Sequence, residues 1–329
     1  MEAPPSTARM RAAGAPRLNL AELAMVAVAG EIVPPRGRNS PYSIGQDGVP
    51  RVLPGPGGIV LSHRVGDPCV GLAADHLEAG VALQCRQKSL KGLPDAANLA
   101  FNTYGCIGNR AVVLTGPCLG RQGTVTGKHG GANHVLVDFP RPVLSRLRIG
   151  DKIQIYSHGL GLRLPDHPQL KLFSCSPQLL RRWGLRSAPP RLYVPVTHVI
   201  PAGIMGSGLG RNSAARGDYD IQLFDPRIRR QLSLDRLRFG DLVAIRNADT
   251  RFGRAWHSGF ITVGAVIHGD SLKSGHGPGV VSLITGEARF LTPVRDERAN
   301  LAAVLGIREP RKARARVPFA ERDKPNPRC

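Results

Sequence analysis

Two imidazoles, a carboxylate, a hydroxyl and an ammonium fall within nine residues of the segment His268-Gly-Asp270-Ser271-Leu-Lys273-Ser-Gly-His276-Gly-Pro-Gly279. These side-chain types ligate a divalent metal or pass a proton, and the surrounding glycines let them converge. His268, Asp270 and His276 are therefore read as metal ligands or catalytic groups, against the plainer reading of a solvated polar loop. A second cluster, Gly127-Lys128-His129-Gly130-Gly131, sets a cation and an imidazole between glycines, where little side-chain bulk obstructs a ligand. His129 is expected as a catalytic base and Lys128 as a substrate-binding group; the alternative is an exposed turn.

Three further groupings offer weaker signals. Gly203-Ile-Met-Gly206-Ser-Gly208-Leu-Gly210-Arg211-Asn212 superficially matches a dinucleotide loop, but a strand pattern follows where a helix must begin. Gly206, Gly208 and Arg211 are instead expected to form an anion-binding nest, or else a structural glycine corner. Asn109 is expected to hold a ligand or to make a turn. His63, Asp67, Cys69, Asp75, His76 and Glu78 are suitable ligand types without recognised spacing, and they are expected mostly at the surface. No G-x-S-x-G nucleophile elbow is present between a strand and a helix, which favours water activated by metal or histidine over an acyl-enzyme.

The elements that must position these groups read as mainly β. Short β-branched runs bounded by Gly or Pro predict strands over 110–115, 124–126, 134–139 and 152–157. A second set is predicted over 192–200, 219–224, 242–246, 261–267 and 280–285. Short helices are expected over 20–29 and 95–104, with long Gly/Pro-rich loops between elements. Leu147-Arg-Ile-Gly-Asp151-Lys-Ile-Gln-Ile recurs as Leu237-Arg-Phe-Gly-Asp241-Leu-Val-Ala-Ile. Each is read as a tight turn feeding a strand, with a metal or catalytic role for Asp241 as the alternative.

The 329 residues suggest about two domains, and 39 glycines with 28 prolines exclude a helical bundle. Two barrel- or sandwich-like units are expected, over 18–190 and 191–306. They are flanked by a disordered arm over 1–17 and a disordered basic tail over 307–329. The net charge is +21; the segments 1–17 and 308–329 carry +2 and +5, which leaves +14 on the body. That raises RNA as a partner, although aromatics make up only 5% of the chain and no strand displays paired bases-stacking rings. The skeleton around Gly120 to Phe139 is also similar to small translation-associated RNA-binding barrels. No long uncharged apolar stretch predicts a membrane span or a secretory leader, and the six scattered cysteines lack C-x-x-C spacing. A cytoplasmic protein with reduced cysteines is expected, forming a homo-oligomer and binding no membrane.

Taken together, Gly108-Asn109…Val-Val…Gly116, Gly127-Lys-His-Gly-Gly131, Gly150-Asp-Lys-Ile, Gly240-Asp-Leu-Val-Ala-Ile and His268-Gly-Asp-Ser…Gly-His-Gly-Pro-Gly279 resemble the proteins grouped as domain-of-unknown-function family 4438. The likeness spans residues 18–286. It implies a two-part, β-rich architecture and brings no activity with it; the extended tails depart from the family's compact pattern. The residues themselves lead to the expectation of a small-molecule enzyme: a hydrolase opening an amide or lactone, or a lyase, with or without a divalent metal. Lys128 and Arg211 would stabilise an oxyanion or bind an anionic substrate. The alternative is a basic, non-catalytic RNA-binding protein.

Overall fold

Short runs of β-branched and apolar residues between turn formers make the strands of the first half of the chain, and this half closes into a barrel. In the computed structural model, residues 13–36, 42–86, 95–312 and 314–322 are described. The barrel strands are β1 (Met25–Ile32), β2 (Val81–Gln84), β3 (Arg110–Val113), β4 (Gln122–His129), β5 (His134–Asp138) and β6 (Lys152–His158). They are antiparallel throughout and run in the order β1-β2-β5-β4-β3-β6 before closing. β6 shows how the inside is chosen: Ile153, Ile155 and Ser157 are buried, while the residues between them are not. With Ile32, Val81, Leu83, Val125 and Val137 they fill the lumen.

Residues 20–29 are not a helix. Leu20–Glu22 makes one 3-10 turn and β1 follows, because pairing with β6 over seven residues outweighs the local signal. The helix expected over 95–104 is present as α1 (Ala96–Tyr104).

The second half is an open sheet with a smaller one beside it. β7 (Arg186–Ala188) and β8 (Arg191–Val196) join a late strand, β14 (Leu291–Arg295). The larger sheet contains β9 (His198–Pro201), β10 (Asp218–Asp220), β11 (Leu242–Asp249), β12 (Ala255–Val266) and β13 (Gly279–Glu287), ordered β9-β11-β12-β13-β10. One apolar core runs from Ile107 and Leu136 of the barrel half to Leu242, Val263 and Leu283 of the sheet, so the halves share an interior. The protein is mainly β. Among the described residues, no helix is long and apolar enough to cross a membrane. Their cysteines are free, and Cys69, Cys106, Cys118 and Cys175 are buried.

The repeated Gly-Asp motif is a turn device. Asp151 accepts the Arg148 N–H at 2.8 Å and Asp241 accepts the Arg238 N–H at 2.9 Å, each across a glycine at φ +89 or +83. Arg64-Val-Gly66-Asp67 is a third copy, with the Arg64 N–H 2.8 Å from Asp67. Asp241 is further occupied by the Arg238 guanidinium at 2.9 Å and by Asn300 at 2.8 Å, which commits it to structure.

From residue 307, where a disordered tail is expected, the described chain is docked onto the body. Arg308 and Arg311 reach the buried Asp67 carboxylate at 2.7 and 3.0 Å, and Arg229 pairs with Glu321. Near the other end, Gly14 bridges Ser187 and Arg17 contacts Asp166 at 2.6 Å. The rest of both expected tails, 1–12 and 323–329, lies outside the described residues. Truncation after Ile307 leaves Asp67 buried without its cations. A loss on the order of 3 kcal/mol is expected in urea unfolding, and an unchanged midpoint would count against this anchor.

Candidate functional site

The two halves meet along loops. Glu78, in the segment entering β2, bridges His268, in the segment leaving β12, and the Gly269 N–H donates to the Leu77 carbonyl at 2.9 Å. On the barrel side, His129 ends β4 directly opposite His134, which begins β5. Glu78 lies between them. Its carboxylate accepts from Nδ1 of His129 at 2.6 Å, from Nδ1 of His134 at 2.9 Å and from the Gly57 N–H at 2.7 Å.

Three imidazoles are anchored in the same way. His129 Nδ1 is on Glu78, His76 Nδ1 is 2.8 Å from Asp75, and His268 Nδ1 is 2.9 Å from the Gly269 carbonyl. Where Nδ1–H donates, Nε2 keeps its lone pair, the tautomer that a metal-ligating histidine takes when an outer partner orients it; His268 Nδ1 is also 3.3 Å from the Gly279 N–H, and His76 Nε2 is 3.0 Å from His276 Nδ1. His76 adopts φ +57, an uncommon backbone conformation for this residue that costs on the order of 1 kcal/mol.

Two carboxylates face these rings. Asp218 and Asp220 are alternate residues of β10, so both side chains project from one face of the sheet. His268 Nε2 lies 2.8 Å from Asp218 Oδ2 and 3.6 Å from Asp220 Oδ1, yet it makes no directed hydrogen bond to either. His276 Nδ1 lies 3.0 Å from both Asp220 Oδ2 and His76 Nε2. The possible ligand atoms fall into two sets, His76–Asp220–His268 and His129–Asp218–His268, with atoms within 4.8 Å of one another in each. Both sets use His268, whose Nδ1 is already on a carbonyl. The two sets therefore overlap at His268, and each offers nitrogen and oxygen donors of the kind that suit Zn²⁺ or a neighbouring divalent transition metal.

The charges are balanced internally. Burial would raise the Glu78 carboxyl, but His134 and His129 hold it well below the usual carboxylate range. Burial would lower His268, whereas Asp218 and Asp220 hold it well above its ordinary value. Asp220 is likewise driven far down, against its burial, by His268, His276 and His76. The buried carboxylates and His268 thus hold one another in their charged forms, and an ion bound at His268 would displace its proton.

His76, His129, His276, Asp218 and Asp220 line a cleft of about 750 Å³, with His268 buried behind them, and its walls include Gly208, Arg211, Arg216, Arg254 and Lys273. Family models for the N-terminal and C-terminal parts of a domain of unknown function, DUF4438, match residues 42–181 and 182–305. The chain belongs to the DUF4438 family. It is also similar to a solved protein described as "Crystal structure of TM1086". The two are 41% identical with a TM-score of 0.82, over 88% of this chain and 99% of the other. No curated protein matches it.

Within this DUF4438 chain, His129, His268 and His276 come together, as do Gly208 and Arg211 on the cleft wall. The other expected site residues do not join them. Asp270 accepts the Gly71 N–H at 2.8 Å and belongs to neither ligand set. Lys128 is fully buried away from the cleft, with Nζ on the carbonyls of Thr103 and Ala215 at 3.1 and 2.9 Å. Asn109 closes a turn through Cys106 and His158. Gly206 packs against the Gly275 carbonyl with no room for a Cβ.

The segment expected at the surface is mostly interior: Asp67, Cys69, Asp75, His76 and Glu78 are buried. His76 and Glu78, with Asp218 and Asp220, are the site residues that motif reading missed. The readable signal was Asp-x-Asp in a strand, which puts two carboxylates on one side.

Gly279 ends the His-rich segment directly beneath Asp218 and His268, where a Cβ would fall inside van der Waals contact of Oδ2 and Nε2. Gly279→Ala is expected to fold and to displace that pair, so its uptake of Zn²⁺ should fall at least tenfold; equal uptake would contradict the packing. Burial pushes Lys128 down to about 8 from 10.5. Its charge is therefore a penalty below pH 8 that is relieved as the pH rises toward 10.5. Chemical denaturation should show wild type gaining stability relative to Lys128→Met across that window, with metal uptake alike in both proteins. A flat difference would mean that the ammonium is not desolvated.

Proposed function

We propose that this protein is a divalent-metal-dependent hydrolase that opens a small anionic amide or lactone. The observation that carries this reading is the gathering of His76, His129 and His268 about Asp218 and Asp220 at a cleft, with the Nδ1 of each ring beside an acceptor that orients it.

The chain's own groups divide the work. His268 with His76 and Asp220, or with His129 and Asp218, would hold the ion, while Glu78 and Asp75 fix the ring orientations of His129 and His76. A divalent ion held there supplies Lewis acidity and lowers the pKa of water toward neutrality. His276 is the most exposed imidazole of the group, at 31% side-chain exposure, and stands beside Asp220. It accepts the proton from the attacking water and returns it to the leaving group. In a lyase variant of the same reading, His276 takes a C–H proton instead. The cations of the wall, Arg211 and Arg216 among them, draw an anionic substrate inward.

The RNA-binding alternative has less support. The Lys128-His129 tip, which would have to face a polymer, is buried against the second half of the chain.

Elemental analysis after loading with Zn²⁺, Mn²⁺, Co²⁺ or Fe²⁺ is expected to find about one ion per chain. His129→Ala should lose it, and Glu78→Gln should weaken it by about 10- to 100-fold. Hydrolysis of a panel of carboxylated lactones and cyclic amides should vanish on chelation and return with metal. A folded wild-type protein that retains no ion after loading would sink the proposal.

A further inference from the structure

Arg254 is the charged side chain of the cleft that the proposed metal chemistry does not use. It is 4% exposed, and its Nε and Nη2 make no hydrogen bond within the described residues. Its backbone is fixed by exchange with the glycine-rich loop: the Arg254 N–H donates to the Arg211 carbonyl and the Gly210 N–H to the Arg254 carbonyl, both at 3.0 Å. Its guanidinium carbon lies 5.4 Å from the centre of the Tyr219 ring. Tyr219 stands between Asp218 and Asp220 on β10, so the strand that carries the two carboxylates also supports the arginine.

A buried guanidinium with unmet donors is costly unless something supplies the acceptors. Among the acids of the chain, the charge of Asp218 partly offsets the burial that lowers Arg254. Its oxygens are committed elsewhere: Oδ1 accepts the Gly130 N–H at 2.7 Å, and Oδ2 is against His268. The two unmet nitrogens, Nε and Nη2, lie on one edge of the planar group. That edge presents two parallel N–H bonds, a spacing matched by the two oxygens of a carboxylate or phosphate. Arg36, Arg211, Arg216 and Lys273 line the same cleft and add positive potential around it.

We infer that the edge of Arg254 is the anchor for a terminal oxyanion of the substrate, a carboxylate or phosphate gripped by two hydrogen bonds. This takes the cleft as the substrate site, as proposed above, but does not depend on a bound ion. The anchored group leaves the remainder of the molecule to extend over the His–Asp floor. Arg254 is thus a specificity-determining residue, and neutral analogues lack its bidentate contact.

The test is calorimetric titration of full-length protein, in chelator-treated and Zn²⁺-loaded forms, with inorganic phosphate and separately with succinate. Wild type is expected to bind at least one of the two anions in both forms. The anion that binds identifies which oxyanion the site takes. Arg254→Met should weaken that binding at least tenfold while its Zn²⁺ content matches wild type. Arg254→Lys, which keeps the charge and loses the fork, should fall between them and covers the case in which the methionine variant does not fold. Arg289→Ala, at an exposed arginine outside the cleft, should change affinity less than threefold. The inference is overturned if neither anion binds wild type in either form, or if both Arg254 variants bind as wild type does. Loss of Zn²⁺ uptake by wild type with Arg254-dependent anion binding intact would refute the metal reading alone.

Discussion

Glu78 is the fixed point of this structure, because an ionised carboxylate removed from water must be met by donors and those donors tie together the segments that carry the site. His129 and His134 approach from the end of one barrel hairpin and the Gly57 amide from the entering loop. The Glu78 backbone bridges His268 in the other half of the chain. A desolvated charge with three directed partners tolerates little displacement. The barrel hairpin, the segment before β2 and the segment after β12 are consequently held in one arrangement, and the imidazoles inherit their orientations from it.

The strands were legible in the sequence because they rest on a local signal, β-branched residues between turn formers. The site was legible only where chemistry and glycine coincided locally, as in the segment from His268 to Gly279 and at His129. Its remaining members are brought in by distant pairings: His76 meets His276 across 200 positions and Glu78 meets His134 across 56. Nothing in the residues near His76 announces that partner. Lys128 illustrates the converse. It neighbours His129 in sequence, but on a strand adjacent side chains leave by opposite faces, so proximity along the chain separated the two in space. Asp270 misled for a related reason, since a carboxylate in a polar loop serves equally well to hold the Gly71 amide.

The three Arg-x-Gly-Asp turns show the same economy of means in the scaffold. Each carboxylate accepts the amide three residues earlier across a glycine in the left-handed region. Two of the copies then acquire arginine partners: Asp67 takes Arg308 and Arg311, and Asp241 takes Arg238. A turn that needs a buried carboxylate thereby creates an attachment point, and the basic segment after residue 307 uses one of them. Arg238, Arg308 and Arg311 are therefore engaged with interior carboxylates, and the net charge, which already counts those carboxylates, rests on the other cations.

Because the cluster draws His76 and His129 from the barrel half and Asp218, Asp220 and His268 from the sheet half, neither half contains it alone. Any ligand that spans these residues acts as a rivet across the seam, binding the docked arrangement and having no equivalent site when the halves part. Its contribution to holding them together grows with its free concentration, by about 1.4 kcal/mol for each tenfold increase above the dissociation constant. The seam is then strongest where the ligand is abundant, which makes the resistance of the chain to separation or proteolysis a readout of ligand supply.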